Sequence, residues 1–238
     1  PGYIHVQARF LGYDEQEGQY LPIRDASCQL LDDDLGVPQP LATGYTDYNG
    51  YAWFPNIDNW DQWGLDGQDV YIKLYCRTAA GKVYDGNVYG TEFWTKTGIR
   101  SNVPDGLVDL GTWYAYPESG SDADPKNWSW HLLYLEKNYG YQWVTSQAST
   151  NPPPSVNIVW YPGYDPSSDI DTGYDPNNKQ INIEGSVQNP HHRFDTIVLH
   201  EYGHAMGDLT WSGKPYSWGK GGRHSWCSAY TDLELMWS

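Results

Sequence analysis

Basic residues are scarce in this chain. Lys and Arg number 14 against 30 Asp and Glu, giving a formal net charge of −16 and a pI near 4.5. Nothing resembles a basic stripe that could neutralise a run of phosphates, so a nucleic-acid partner is excluded. Long hydrophobic runs are also missing. Without a window of about eighteen consecutive apolar residues the chain has no candidate membrane span. Phe is used only 4 times. The three cysteines, Cys28, Cys76 and Cys227, form an odd set whose first two members fall in the first half of the chain. That leaves Cys227 free or paired with something outside the chain. No leader-type segment is present and the first residue is Pro1, so a mature chain trimmed of its targeting segment is the expectation. The acidity and the trimmed start fit an extracellular, secreted protein.

The 238 residues leave room for two domains, each with its own core. Trp and Tyr, at 13 and 21, supply nearly all the aromatic content. Their rings carry a polar handle and tolerate partial exposure, a usage common in extracellular and carbohydrate-handling proteins.

Residues 1–115 read as all-β. Ile4–Phe10, Cys28–Leu31, Tyr51–Phe54, Val70–Cys76 and Val83–Val88 are short β-prone runs between Gly, Asp, Asn and Pro clusters. In the clearest of them Val70, Ile72, Leu74 and Cys76 share one face and Tyr71, Lys73, Tyr75 and Arg77 the other. Cys28 alternates with Ala26 and Leu30, which points both cysteines into one core. A Cys28–Cys76 disulfide and two buried thiols are equally compatible with that placement, because sequence does not supply the Cα separation. Asn49-Gly50, between aromatic-rich runs, is a hairpin signal. The segment Thr46-Asp47-Tyr48-Asn49-Gly50-Tyr51-Ala52-Trp53-Phe54, followed by the strand Asp69-Val70-Tyr71-Ile72-Lys73-Leu74, resembles the transthyretin-like β-sandwich modules of secreted bacterial proteins.

Near Tyr114 the pattern changes. A small, polar, turn-rich stretch from Tyr116 to Pro125 reads as a linker, and the helical spacing of Trp128, Leu132, Leu135 and Tyr139 predicts a helix. Val156–Trp160 and Ile181–Glu184 read as strands. Between them Asp165, Asp169, Asp171 and Asp175 crowd one segment. A calcium loop and a solvated surface loop are both compatible with it, and the spacing matches no EF-hand.

The strongest motif follows. In Thr196-Ile197-Val198-Leu199-His200-Glu201-Tyr202-Gly203-His204 two histidines four apart lie one above the other on a helix, so both imidazoles can reach one metal. Glu201 is turned away from the His200 line, beside the position of a metal-held water whose proton it could take. Ile197 and Leu199 offer apolar positions for burial, while Gly203 and Ala205 are small enough for close packing by a neighbour.

With the preceding helix and strands, this segment resembles the core of zincin metallopeptidases over residues 120–238. The resemblance implies zinc as cofactor, His200 and His204 as ligands, Glu201 as general base, and Ile181–Gly185 as the strand that binds a peptide backbone. A catalytic zinc needs a third protein ligand. Thr210 stands where a metzincin would have its histidine. His224 and Glu234 are candidates within the chain. Gly221-Gly222-Arg223-His224-Ser225-Trp226 is similar to an element of gluzincin-like proteins whose ligating glutamate would fall past Ser238. In that case His224 would face the substrate or the oxyanion, with Tyr230 as a second candidate.

The expected architecture is therefore a two-domain chain: a transthyretin-like all-β sandwich over 1–115, then an α+β zincin-like metallopeptidase domain over 116–238, incomplete at its C-terminus. The expected activity is zinc-dependent hydrolysis of a peptide or protein substrate. The alternative is an extracellular structural or adhesive protein, of filament type, carrying a degenerate metallopeptidase domain and assembling with itself. Trp53, Trp60 and Trp63 are candidate stacking residues for a glycan.

Overall fold

The alternation in the first segment has a direct structural counterpart. The computed structural model describes residues 2–14, 18–34, 36–60, 67–88, 90–115, 155–162, 172–185 and 195–210. Its elements in chain order are β1 (Tyr3–Asp14), β2 (Gln19–Pro22), β3 (Ser27–Asp34), β4 (Val37–Tyr45), β5 (Tyr51–Asp58), β6 (Val70–Tyr75), β7 (Val83–Asp85), β8 (Trp94–Lys96), β9 (Gly106–Ala115), β10 (Asn157–Pro162), β11 (Gly173–Asp175), β12 (Gln180–Gly185) and the helix α1 (Asp195–Thr210). Among the described residues no helix is long and apolar enough to cross a membrane.

Strand β1 organises the first sheet. It turns Ile4, Val6, Ala8 and Phe10 fully inward. β5 and then β2 pair antiparallel along successive lengths of β1, and β9 pairs parallel to it. The second sheet is antiparallel in the order β4-β3-β6-β8. Its inner face supplies Cys28, Leu30, Val70, Ile72 and Leu74 to the core that the first sheet lines with Phe10, Ala52 and Phe54. The two sheets form a β-sandwich. Each fully buried Ile, Leu or Phe in it stabilises the fold by roughly 1.5–3 kcal/mol.

The expected Asn49-Gly50 hairpin is corrected. β4 and β5 lie in different sheets, so the turn carries the chain from one sheet to the other. Main-chain bonds made elsewhere hold it there. The Phe10 N–H donates to the Gly50 carbonyl at 2.8 Å, and the Thr46 hydroxyl accepts the buried Ala26 N–H at 2.9 Å. Asp47 Oδ1 accepts the N–H groups of Asn49 and Tyr51, both at 2.8 Å, closing the turn locally. Gly50 adopts φ +81°, and a Cβ there would stand 2.5 Å from the Phe10 carbonyl oxygen. Asn-Gly was thus a true turn signal whose flanking strands take other partners.

No disulfide joins Cys28 and Cys76; both are thiols buried in the sandwich core. Burial pushes the Cys28 thiol up to about 12. Its protonated form is the one the fold favours, so this contribution is complete below the unfolded thiol's range and is lost as pH rises toward that value. Iodoacetamide at pH 8 should leave Cys28 unmodified in the native chain and alkylate it in urea, as read by peptide mass spectrometry. Comparable rates in both conditions would refute this burial.

The third sheet, β11-β12-β10-β7, crosses the boundary expected near residue 115. β7 pairs in parallel with β10, and β10 in parallel with β12. Ile158, Trp160, Ile181 and Ile183 are fully buried and continuous with the sandwich core. Gly185 sits where a Cβ would be 2.2 Å from Trp160 Nε1 and 3.0 Å from the Tyr161 carbonyl oxygen, so only glycine lets the end of β12 pass so close.

Candidate metal centre

Helix α1 is held by a stripe of Val198, Tyr202, Ala205 and Leu209, at spacings of four, three and four. Ile197 and Leu199 are only half-buried, and Gly203 is exposed with open space where a Cβ would be. The packing face is therefore one residue off the expected Ile197–Leu199 positions, and close approach uses Ala205 alone.

The four-residue spacing on this helix brings the two imidazoles together. The Nε2 atoms of His200 and His204 are 2.9 Å apart, with the rings nearly perpendicular at 86°. Potential ligand atoms of His200, Glu201 and His204 lie within 4.8 Å of one another. His200 is 3% exposed and Glu201 8%, while His204 is half-buried.

The donor set fits a borderline-soft divalent cation such as zinc. Two imidazole nitrogens on a tetrahedral zinc stand about 3.3 Å apart, given Zn–N bonds of about 2.0–2.1 Å. A small ring rotation separates that value from 2.9 Å. Nitrogens this close either share one proton as a hydrogen bond or point both lone pairs at one cation. His200 and His204 could supply two ligands, and beyond Glu201 the described residues bring no further His, Cys, Asp or Glu into the group. His224, Glu234 and Tyr230 lie outside the described residues, as do Trp63, the helix expected over Trp128–Tyr139, and Asp165, Asp169 and Asp171 of the acidic loop. Asp175, the fourth carboxylate of that loop, closes the β11–β12 turn: its oxygens accept the Asn177 and Asn178 N–H groups and the Asn178 side-chain amide.

The expected substrate strand is corrected by the sheet order. β12 is flanked by β10 along Gln180–Gly185 and by β11 at Gln180–Asn182, and Thr172 Oγ1 accepts the Glu184 N–H at 2.9 Å. β11 is the edge strand next to the motif, and its Tyr174 N–H donates to Glu201 Oε2 at 2.8 Å. Gly173 and Asp175 pair with Asn182 and Gln180, which turns the main chain of Tyr174 outward, where Glu201 meets it.

Tyr174 and Asp208 were missed by sequence reasoning. Tyr174 reaches α1 a second time through its hydroxyl, which donates to Asp208 Oδ2 at 2.7 Å, and Lys179 Nζ reaches the same oxygen at 2.5 Å. Asp208 is four residues past His204, on the same helix face, and that spacing was a readable signal. No local pattern announced Tyr174. The Lys179 hydrogen bond depresses the Asp208 carboxyl; burial opposes it, and the Tyr174 hydroxyl adds to the lowering. A depressed carboxylate contributes stability above its unfolded pKa and loses it as pH falls through the folded one. Lys179→Met should therefore destabilise the chain by about 0.5–1 kcal/mol at pH 7, a modest value because the lysine is half exposed. At pH 2 the difference should vanish. Urea titrations of both chains at the two pH values measure it, and an equal loss at pH 2 would rule the ion pair out as its source.

Of the expected glycan-stacking residues, Trp53 is exposed on β5 and stacks on His5, with ring centres 6.0 Å apart and 10° between planes. Trp60 is exposed in the segment after β5.

No family model matches the chain, and no curated protein matches it. Among solved structures it is similar to a 9R-lipoxygenase from Cyanothece PCC8801, at 16% identity over 62% of this chain and 25% of that one, with a TM-score of 0.33. It is similar to the major plantain pollen allergen Pla l 1 at 16% identity over 48% of this chain and 92% of that one, TM-score 0.30. It is also similar to (S)-allantoin synthase at 11% identity, 46% and 41% coverage, TM-score 0.25. The chain spans a quarter of the lipoxygenase. At these scores the likenesses carry no argument about function.

Proposed function

We propose that the chain is a secreted zinc-dependent peptidase of gluzincin-like type, with a transthyretin-like sandwich as its first part and a zincin-like domain as its second. The observation that carries this reading is the convergence of His200 and His204 Nε2 to 2.9 Å, with Glu201 in the same group on a buried helix face. Zinc, when bound, supplies Lewis acidity that acidifies a water and polarises a peptide carbonyl. His200 and His204 would hold it. Glu201 takes a proton from the attacking water and delivers it to the departing amine nitrogen. Tyr174 fixes one oxygen of that carboxylate and so sets the direction from which the proton arrives. Within the chain, His224 and Glu234 are the candidates for a third ligand.

The test is metal content together with hydrolysis. Purified chain should carry about one zinc by mass spectrometry, as a site with imidazole ligands requires, and should cleave casein. Cleavage should stop with 1,10-phenanthroline and return with added zinc. Zinc-free protein that cleaves casein would sink the proposal. A zinc-free, inactive protein that assembles into filaments would favour the adhesive alternative.

A further inference from the structure

The outer face of the second sheet brings two lysines together in a chain with few cations. Alternation along β6 places Tyr71, Lys73 and Tyr75 on that face. The β6–β8 register sets Lys96 directly across from Lys73 and Trp94 directly across from Tyr75. Lys73 Nζ stands 4.2 Å from the Trp94 ring centre and 5.0 Å from that of Tyr75. Lys96 Nζ stands 4.8 Å above Tyr71. Like charges directly opposite one another across a ladder are unfavourable, and this pair occurs in a protein of net charge −16. Two carboxylates lie near this face: Glu92 is taken up by the Arg77 guanidinium, and Asp33 adds to burial in raising the Tyr71 hydroxyl, but no carboxylate among the described residues reaches ion-pair distance of Lys73 or Lys96. Burial depresses the Lys73 ammonium, Glu92 pulls it back up, and Lys96 adds to the lowering. An anion between the two lysines would relieve that cost.

We propose that the outer face of the β4-β3-β6-β8 sheet binds an acidic polysaccharide, its carboxylate or sulfate groups on Lys73 and Lys96 and its sugar faces against Trp94. Trp94 is 44% exposed, Lys96 is exposed, and Tyr75 is half-buried with its hydroxyl donating to Gln29 Oε1 at 3.1 Å, so the platform is pre-ordered. The features lie on the face of the sheet and consist of side chains. Among the described strands β8 is also an edge of this sheet, where an extended acidic peptide could add by main-chain pairing, and the polyglutamate arm of the test below separates that occupant from a glycan. The cations are two point charges and not a free guanidinium fork, since that of Arg77 is occupied; point charges tolerate the varied spacing of acid groups along a sugar chain.

Affinity electrophoresis of the full chain tests this with four polymers: polygalacturonate, dextran sulfate, neutral dextran and polyglutamate. Retardation is expected by polygalacturonate or dextran sulfate, weakened by salt, and absent with neutral dextran. The two acidic glycans separate carboxylate from sulfate recognition. Lys73→Gln with Lys96→Gln should weaken binding about tenfold, and Trp94→Ala by a similar factor, with unchanged thermal melts. Arg9→Gln, a cation on the other sheet, should leave binding as it is. The proposal is overturned by no retardation in either acidic glycan, by an Arg9 effect equal to the lysine effect, or by polyglutamate binding as tightly and through the same residues.

Discussion

Glu201→Gln should lower peptide hydrolysis about 10²–10⁴-fold, the usual worth of a positioned general base, while zinc content is unchanged. The substitution keeps shape and hydrogen bonding but removes the proton acceptor. A glutamine side-chain oxygen can still accept the Tyr174 N–H that meets Glu201 Oε2 at 2.8 Å, so β11 and α1 stay in register. The two imidazoles that would hold the metal are untouched. The expected loss, about 3–5 kcal/mol of transition-state stabilisation, should therefore fall on kcat with KM little changed. His200→Ala and His204→Ala should behave differently and lose metal and activity together. Wild-type kcat in Glu201→Gln would remove Glu201 from the mechanism. Loss of zinc in that variant would make Glu201 a ligand.

Trp160→Ala should destabilise the chain by about 3–5 kcal/mol, the range for deleting a large buried aromatic. Trp160 has no solvent exposure, its ring centre lies 5.5 Å from that of Phe93, and its carbonyl accepts the Gly86 N–H at 2.7 Å. Phe93 and Gly86 come from the first part of the chain and Trp160 from the second, so the ring fills space that both share. Deleting it leaves a cavity at that junction, which cannot close without moving β7 against β10. Urea unfolding followed by tryptophan fluorescence and by far-UV circular dichroism measures the loss. A change below about 1 kcal/mol would show that the junction does not depend on this side chain. Gly185→Ala meets the same ring at its Nε1 atom and should destabilise through overlap with it.

Local periodicity was a reliable guide to faces. The inward positions of β1 and β6 follow the two-residue repeat of Ile4 to Phe10 and Val70 to Cys76, because a strand's side chains alternate whatever strand lies beside it. The His-Glu-x-x-His segment is helical, with both imidazoles on one line, because the four-residue spacing is a property of the helix itself. Phase was harder to read: Val198 and Tyr202 outcompete Ile197 and Leu199 for the core through packing against β11 and β12, which lie earlier in the chain.

Composition and spacing alone determined that this is an acidic, strand-rich chain without an apolar run long enough for a membrane span, carrying one helix built to bring two histidines and a glutamate together. Only the tertiary structure decided which strands pair. It placed β9 parallel to β1 and β7 parallel to β10, and it sent the Asn49-Gly50 turn between sheets. It also laid the Tyr174 N–H on Glu201 and set Lys73 opposite Lys96. The reason is the range of the forces concerned. Alternation and helical spacing express steric preferences within a few residues, whereas a main-chain donor takes whichever acceptor the packed core leaves beside it, often many residues away.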